Sequence, residues 1–140
     1  MELGTAGSIL SYALDLEAKA TEFYQKSIEG NISADVKEAF EENNQRHRKI
    51  AKTLDRMRKE NVTEMILEPV HDFESDDFVI EITHIQSTVV VAKKIEQTIL
   101  EYLRASAEKV AFLPQMKEML EDLASRIMKN SNALNNLGSE

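Results

Sequence analysis

Leu14-Asp15-Leu16-Glu17-Ala18-Lys19-Ala20-Thr21-Glu22-Phe23-Tyr24 is the stretch that decides how this chain folds. It contains no glycine or proline, and its apolar residues recur at three- and four-residue intervals, the period of one face of an α-helix. One stripe runs Ile9, Ala13, Leu16, Ala20 and Phe23; a second, parallel to it, runs Leu10, Leu14, Glu17, Thr21, Tyr24 and Ile28. Glu17 therefore lies within an apolar face, seven residues before a tyrosine. The same frame returns at Lys94 to Tyr102, with Ile95 in the place of Glu17.

Outward from that stretch, Thr5 or Ser8 can cap the start of the helix, and Gly30, which tolerates a left-handed conformation, can end it. After the short turn Gly30-Asn31-Ile32-Ser33, Ser33 can cap a second helix. Its inner side carries Val36, Phe40, Asn43 or Asn44, His47, Ile50 or Ala51, Leu54 and Met57. A link this short makes the two helices antiparallel neighbours. From Asn61 the pattern fails: Pro69 disfavours helix at Glu68, and Asp72 to Asp77 reads as an acidic loop. A link of about 14 to 20 residues at roughly 3.3 Å each spans about 45 to 65 Å, enough to travel the whole length of a helix. That permits a crossover. A third helix starts somewhere between Ser75 and Ser87, with Val79, Ile80 and Ile82 fitting a short strand or a first helical turn equally well. Val91, Ile95, Thr98 or Ile99, and Tyr102 form its inner stripe, and it fades near Val110. Pro114 suits the first position of a fourth helix, whose inner stripe is Met116, Leu120, Leu123, Ile127, Asn130 and Leu134.

Composition agrees with an all-α chain. The 140 residues suit one domain with one core; 42% are apolar and 30% charged, with only four glycines and two prolines. The absence of cysteine excludes disulfides, thiolate metal sites and a cysteine nucleophile. No apolar run approaches the roughly 20 residues that span a bilayer. The N-terminus lacks the basic region of a secretory signal, so a cytoplasmic protein is expected, with no membrane partner. A net charge of −8 argues against nucleic-acid binding. Nothing resembles a phosphate-binding loop or a nucleophile elbow.

An internal repeat is legible in the inner stripes. Glu17 with Ile95 and Tyr24 with Tyr102 share one offset of 78; Asn44 with Ile127 and His47 with Asn130 share another, 83. The chain reads as two helical hairpins of one pattern, 5–60 and 81–137, joined by a crossover at 61–80 within a single domain spanning 1–140.

Glu17 seven residues before Tyr24, Phe23-Tyr24 after Ala20, Glu41-Glu42-Asn43-Asn44-Gln45-Arg46-His47 and the crossover together give a chain that resembles the ferritin-like superfamily, and within it the small rubrerythrin-type domains. The resemblance covers nearly the whole chain and implies a four-helix bundle. In that family each hairpin supplies one Glu from its first helix and a Glu-x-x-His from its second, and six side chains hold two iron or manganese ions. Carried over by position, the six are Glu17, Asn44, His47, Ile95, Ile127 and Asn130. Only two keep a ligand type. One carboxylate does not offset two dications in a low-dielectric core, so the di-iron oxidoreductase activity implied by the resemblance is not supported by this ligand set.

The residues leave two readings of what remains. In the first, Glu17 and His47 form a buried acid–imidazolium pair, with Asn44, Asn130, Tyr24 and Tyr102 completing a polar network and no cofactor. In the second, Glu17 and His47, with Asn44, hold a single iron, manganese or zinc ion, or Ile95 and Ile127 turn the former metal cavity into an apolar pocket. Glu81-x-x-His84 and His71 read as surface residues, and the basic run Arg46 to Lys59 as a solvated face. Met57, Met65, Met116, Met119 and Met128 read as core filler. The function expected is a non-catalytic bundle with a degenerate site, acting as a homodimer or through a protein partner. Val89-Val90-Val91, apolar around more of its helix than one core needs, would form the dimer seam. The alternative is a residual metal- or small-ligand-binding protein of oxidoreductase ancestry.

Overall fold

The computed structural model describes residues 1–60, 69–84 and 86–137. Four helices carry the fold: α1 (Ala6–Glu29), α2 (Ala34–Glu60), α3 (Thr88–Lys109) and α4 (Pro114–Asn135). Each boundary has a chemical cause. The Thr5 hydroxyl accepts the Ser8 N–H while the Ser8 hydroxyl accepts the Thr5 N–H, at 3.0 and 3.1 Å, a reciprocal box that satisfies two otherwise orphaned donors. Ser33 caps α2 through the Val36 N–H, and Ser87 caps α3 through the Val90 N–H. Pro114 opens α4 as expected. Gly30 does not take the left-handed conformation: its φ of −89° is extended, and its N–H simply closes on the Ser27 carbonyl. The turn needs no positive φ.

The inner stripes bury as their spacing requires. Ile9, Leu16, Phe40, Ile50, Leu54, Ile99, Leu120, Leu123 and Ile127 all lie in one core shared by the four helices. The major packing runs α1 on α2 and α3 on α4, with secondary contacts of α2 on α4 and α1 on α3. The consecutive helices α2 and α3 do not pack on each other as these pairs do, although His47 of α2 and Glu96 of α3 meet across the core. No helix among the described residues is long and apolar enough to cross a membrane.

Residues 61–68, and with them Met65 and the first part of the link, lie outside the described residues. From Pro69 the described residues of the link are irregular, with a 3-10 turn at Ser75–Asp77, and α3 begins after Ser87. The segment around Val79, Ile80 and Ile82 is neither strand nor first helical turn: Ile80 is buried while Val79 and Ile82 are exposed. The link is tied down by the N-terminal residues. Leu3 donates to the Phe73 carbonyl at 2.8 Å and the Val70 N–H to the Gly4 carbonyl at 2.8 Å. Phe73, Phe78, Tyr12 and Tyr102 close over this seam as one aromatic cluster.

Val89 and Val91 are both buried within the chain, and Val90 alone of the three is exposed. Two of the three valines expected at the dimer seam are therefore core residues of the chain itself. Met57 and Met116 are core residues, whereas Met119 and Met128 are exposed. His71, Glu81 and His84 face solvent.

Candidate functional site

Each of the four helices contributes polar side chains to one point in the core. Glu17 from α1, Asn43, Asn44 and His47 from α2, Glu96 from α3 and Asn130 from α4 are all buried, with Tyr24 among them. His47 stands at the centre. Its Nδ1 meets Glu17 Oε2 in a short hydrogen bond, and its Nε2 meets Glu96 Oε2 at 2.7 Å. Both ring nitrogens thus face carboxylates, one on each side of the imidazole.

Glu96 is the residue that position-by-position transfer missed. Ile95, read as the counterpart of Glu17, is an ordinary core side chain, and the carboxylate comes from the next residue. The buried faces of α1 and α3 superpose at an offset of 79: Leu10 with Val89, Ala13 with Ala92, Leu16 with Ile95, Glu17 with Glu96, Ala20 with Ile99, Phe23 with Tyr102. The offset of 78 aligns Tyr24 with Tyr102, which hold different places: the Tyr24 hydroxyl meets Glu96 and the Tyr102 hydroxyl meets the Ile9 carbonyl. The dipeptides Leu16-Glu17 and Ile95-Glu96, each seven residues before an aromatic-containing pair, are the signal that finds the correct frame.

The rest of the network follows from donor and acceptor arithmetic. Glu96 accepts three hydrogen bonds: from the Tyr24 hydroxyl and His47 on Oε2, and from Asn130 Nδ2 at 3.2 Å on Oε1. Asn43 Nδ2 donates to the Tyr24 hydroxyl at 3.2 Å and to the Asn130 carbonyl at 3.3 Å. The half-buried Arg46 donates to the side-chain oxygens of Asn43 and Asn130 at 3.3 and 3.2 Å. Those two contacts fix both amide orientations, since only their oxygens can accept from a guanidinium. Arg46 is therefore part of this cluster and not of a solvated basic face. Arg46 joins it through the two amides, whereas His47 alone meets the carboxylates.

Two expected members take other places. Tyr102 donates to the Ile9 carbonyl at 2.6 Å and belongs to the aromatic cluster under the link. Asn44 is buried but its Oδ1 has no partner, and Asn43 occupies the bonding position. In the same cluster Glu17 Oε1 is a carboxylate oxygen left without a donor. This marks Glu17 as the less satisfied of the two acids, because an unpaired buried acceptor costs about 1–3 kcal/mol.

Protonation follows from these contacts. Burial works against a charged imidazole at His47, but the charges of Glu17 and Glu96 and the hydrogen bonds to both outweigh it and hold the group well above the ordinary histidine range. Burial raises Glu17, with the His47 charge and hydrogen bond opposing and Glu96 adding to the rise. Burial, then the charge of Glu96, moves Tyr24 well above the usual phenol range.

Both His47 and Glu17 therefore bind protons more tightly in the folded chain than in the unfolded one, so stability falls as pH rises. The His47 contribution is complete below the unfolded histidine value of about 6.5 and is lost as pH climbs through its raised folded value. Glu17 loses its share over the interval above its ordinary 4.5. Urea denaturation at about pH 6, 7.5 and 9 is expected to show a falling midpoint, with a flatter profile above about pH 7 for His47→Gln. Parallel profiles would remove His47 as the cause.

The donor set does not fit a metal ion as it is placed. A cation needs convergent lone pairs, yet both nitrogens of His47 are turned to carboxylates and both oxygens of Glu96 already accept. Glu17 Oε1 and Asn44 Oδ1 are the acceptors left over. Among the described residues no group of three or more His, Asp or Glu side chains is arranged to hold one. Comparison of the chain with protein-family models, with curated proteins and with solved structures gives no match.

Proposed function

We propose that the chain is a ferritin-like, rubrerythrin-type bundle of two antiparallel hairpins joined by a crossover, non-catalytic, acting as a homodimer or through a protein partner. The packing order supports the architecture. Side chains pair in opposing sequence order along the first hairpin, Tyr24 with Asn43, Glu17 with His47, and Ser11 with Arg58. Around the bundle the order α1, α2, α4, α3 places α2 and α3 on a diagonal, which is what a link crossing the bundle end to end produces and a tight turn does not.

The single observation that carries the non-catalytic reading is the position of the His47 ring between both core carboxylates. A ring held there uses the lone pairs and the space that a carboxylate-bridged metal pair would need. Work by association is then the remaining role for a well-packed bundle, and Val90, Phe112, Met119 and Met128 are the exposed apolar side chains that an interface on its second half would cover. Sedimentation velocity at micromolar concentration tests it: a dimer is expected. A monomer that retains no protein from a lysate contradicts the association reading.

A further inference from the structure

We propose that the space held by the His47 ring is a receptor site for a nitrogen cation with two opposed N–H donors, filled in the intact chain by the protein's own imidazolium. The inference deepens the reading above and rests on it, but it concerns the interior of the bundle and not its surface.

The geometry defines the ligand. Each of the two hydrogen bonds on the ring, to Glu17 and to Glu96, requires one proton between nitrogen and oxygen. Glu96 already accepts from Tyr24 on Oε2 and from Asn130 on Oε1, so we assign the proton of the Nε2 contact to the ring. The side-chain nitrogen of Asn130 also lies 3.2 Å from Nε2; Arg46 fixes this amide with its nitrogen inward, and one of its two N–H groups is met by Glu96 Oε1. On the other side Glu17 has no donor besides His47. One face of the ring lies against Tyr24, with centroids 5.7 Å apart and planes at 27°. Planar shape, positive charge and two N–H groups pointing in opposed directions are therefore all recognised by side chains other than His47 itself: two carboxylates at the ends and a phenol ring on the face.

Removing the ring from the chain while keeping the surrounding groups should leave a site that takes the same cation from solution. His47→Gly, refolded at about pH 6 where imidazole is mostly protonated, is expected to gain about 4 °C or more in melting midpoint with about 50 mM imidazole, saturably. The cation of N-methylimidazole carries a single N–H and should restore less than half as much; 1,3-dimethylimidazolium, with the charge but no N–H, should restore nothing. Equal effects of imidazole on His47→Gly and on the unaltered chain, or equal effects of all three cations, would overturn the proposal. Should the glycine variant not fold with any of them, the intact chain decides. Nitrogen-15 spectra at about pH 8 are expected to show a directly bonded proton on both ring nitrogens of His47, and a bare ring nitrogen overturns the proposal. Neither arm depends on the oligomeric state, so failure here is distinct from failure of the association reading.

Discussion

Replacing His47 by leucine is expected to destabilise the fold by roughly 3 to 5 kcal/mol, the range found when one partner of a buried charge pair is removed. The leucine would leave Glu17, which has no other donor, and Glu96, which keeps Tyr24 and Asn130, facing each other across an apolar side chain. At least one carboxylate must then take up a proton to stay inside. Removal of the acids as well should reverse the loss, but how many must go is set by the geometry. A double replacement, Glu17→Leu with His47→Phe, still leaves Glu96 buried without the imidazole beside it and is expected to remain destabilised. The triple replacement, with Glu96→Leu added, should return most of the stability, because apolar groups of similar volume often match or exceed a buried ion cluster. Urea melts of the three variants measure this directly, and additive losses across the series would contradict the coupling.

Tyr102→Ala is expected to be about as costly, roughly 3 to 5 kcal/mol, for a different reason. Its ring is fully buried, stacks on Phe73 at 5.6 Å with planes 9° apart, and takes Tyr12 and Phe78 edge-on at 5.2 Å each. Loss of the ring opens a cavity beneath the link at the point where Leu3 and Phe73 pair. The damage should be local in the first instance, so hydrogen exchange of the amides of Leu3, Val70 and Ser75 should accelerate more than that of core amides in α2. Tyr102→Phe keeps the stacking and loses the hydrogen bond to the Ile9 carbonyl, for which about 1 kcal/mol is expected. Uniform acceleration across the chain in Tyr102→Ala would mean that the cluster does not anchor the link in particular.

The contrast between these tyrosines shows what could and could not be read from the sequence. Helix identity was legible because amphipathic spacing, Thr5, Ser33 and Pro114 act locally, and the burial of Glu17 and His47 followed from the stripes they occupy. The pairing of helices across the bundle is not local. Ile95 and Glu96 are both inside, since α3 buries adjacent residues at 95 and 96 and again at 102 and 103, a wider face than one stripe. With Lys93, Lys94 and Gln97 around it, Glu96 looks like a solvated residue, and only the match of Leu16-Glu17 with Ile95-Glu96 argues otherwise. Arg46 was hidden in the same way, inside a basic run whose other members are exposed or paired on the surface. The choice of Asn43 over Asn44 turns on about 100° of helix rotation, finer than spacing resolves.

Glu96 also changes the charge argument. With one carboxylate the core lacked the charge to hold two dications; with two it could offset one dication, were His47 not already placed as the cation between them. Whether the centre of this bundle is closed by an imidazolium or by a metal is therefore decided most directly by metal loading of the intact chain. After incubation with ferrous iron, manganese or zinc and removal of unbound ion, elemental analysis is expected to give less than about a tenth of an equivalent of each. A stoichiometric metal that disappears in Glu17→Ala or His47→Ala would contradict the account.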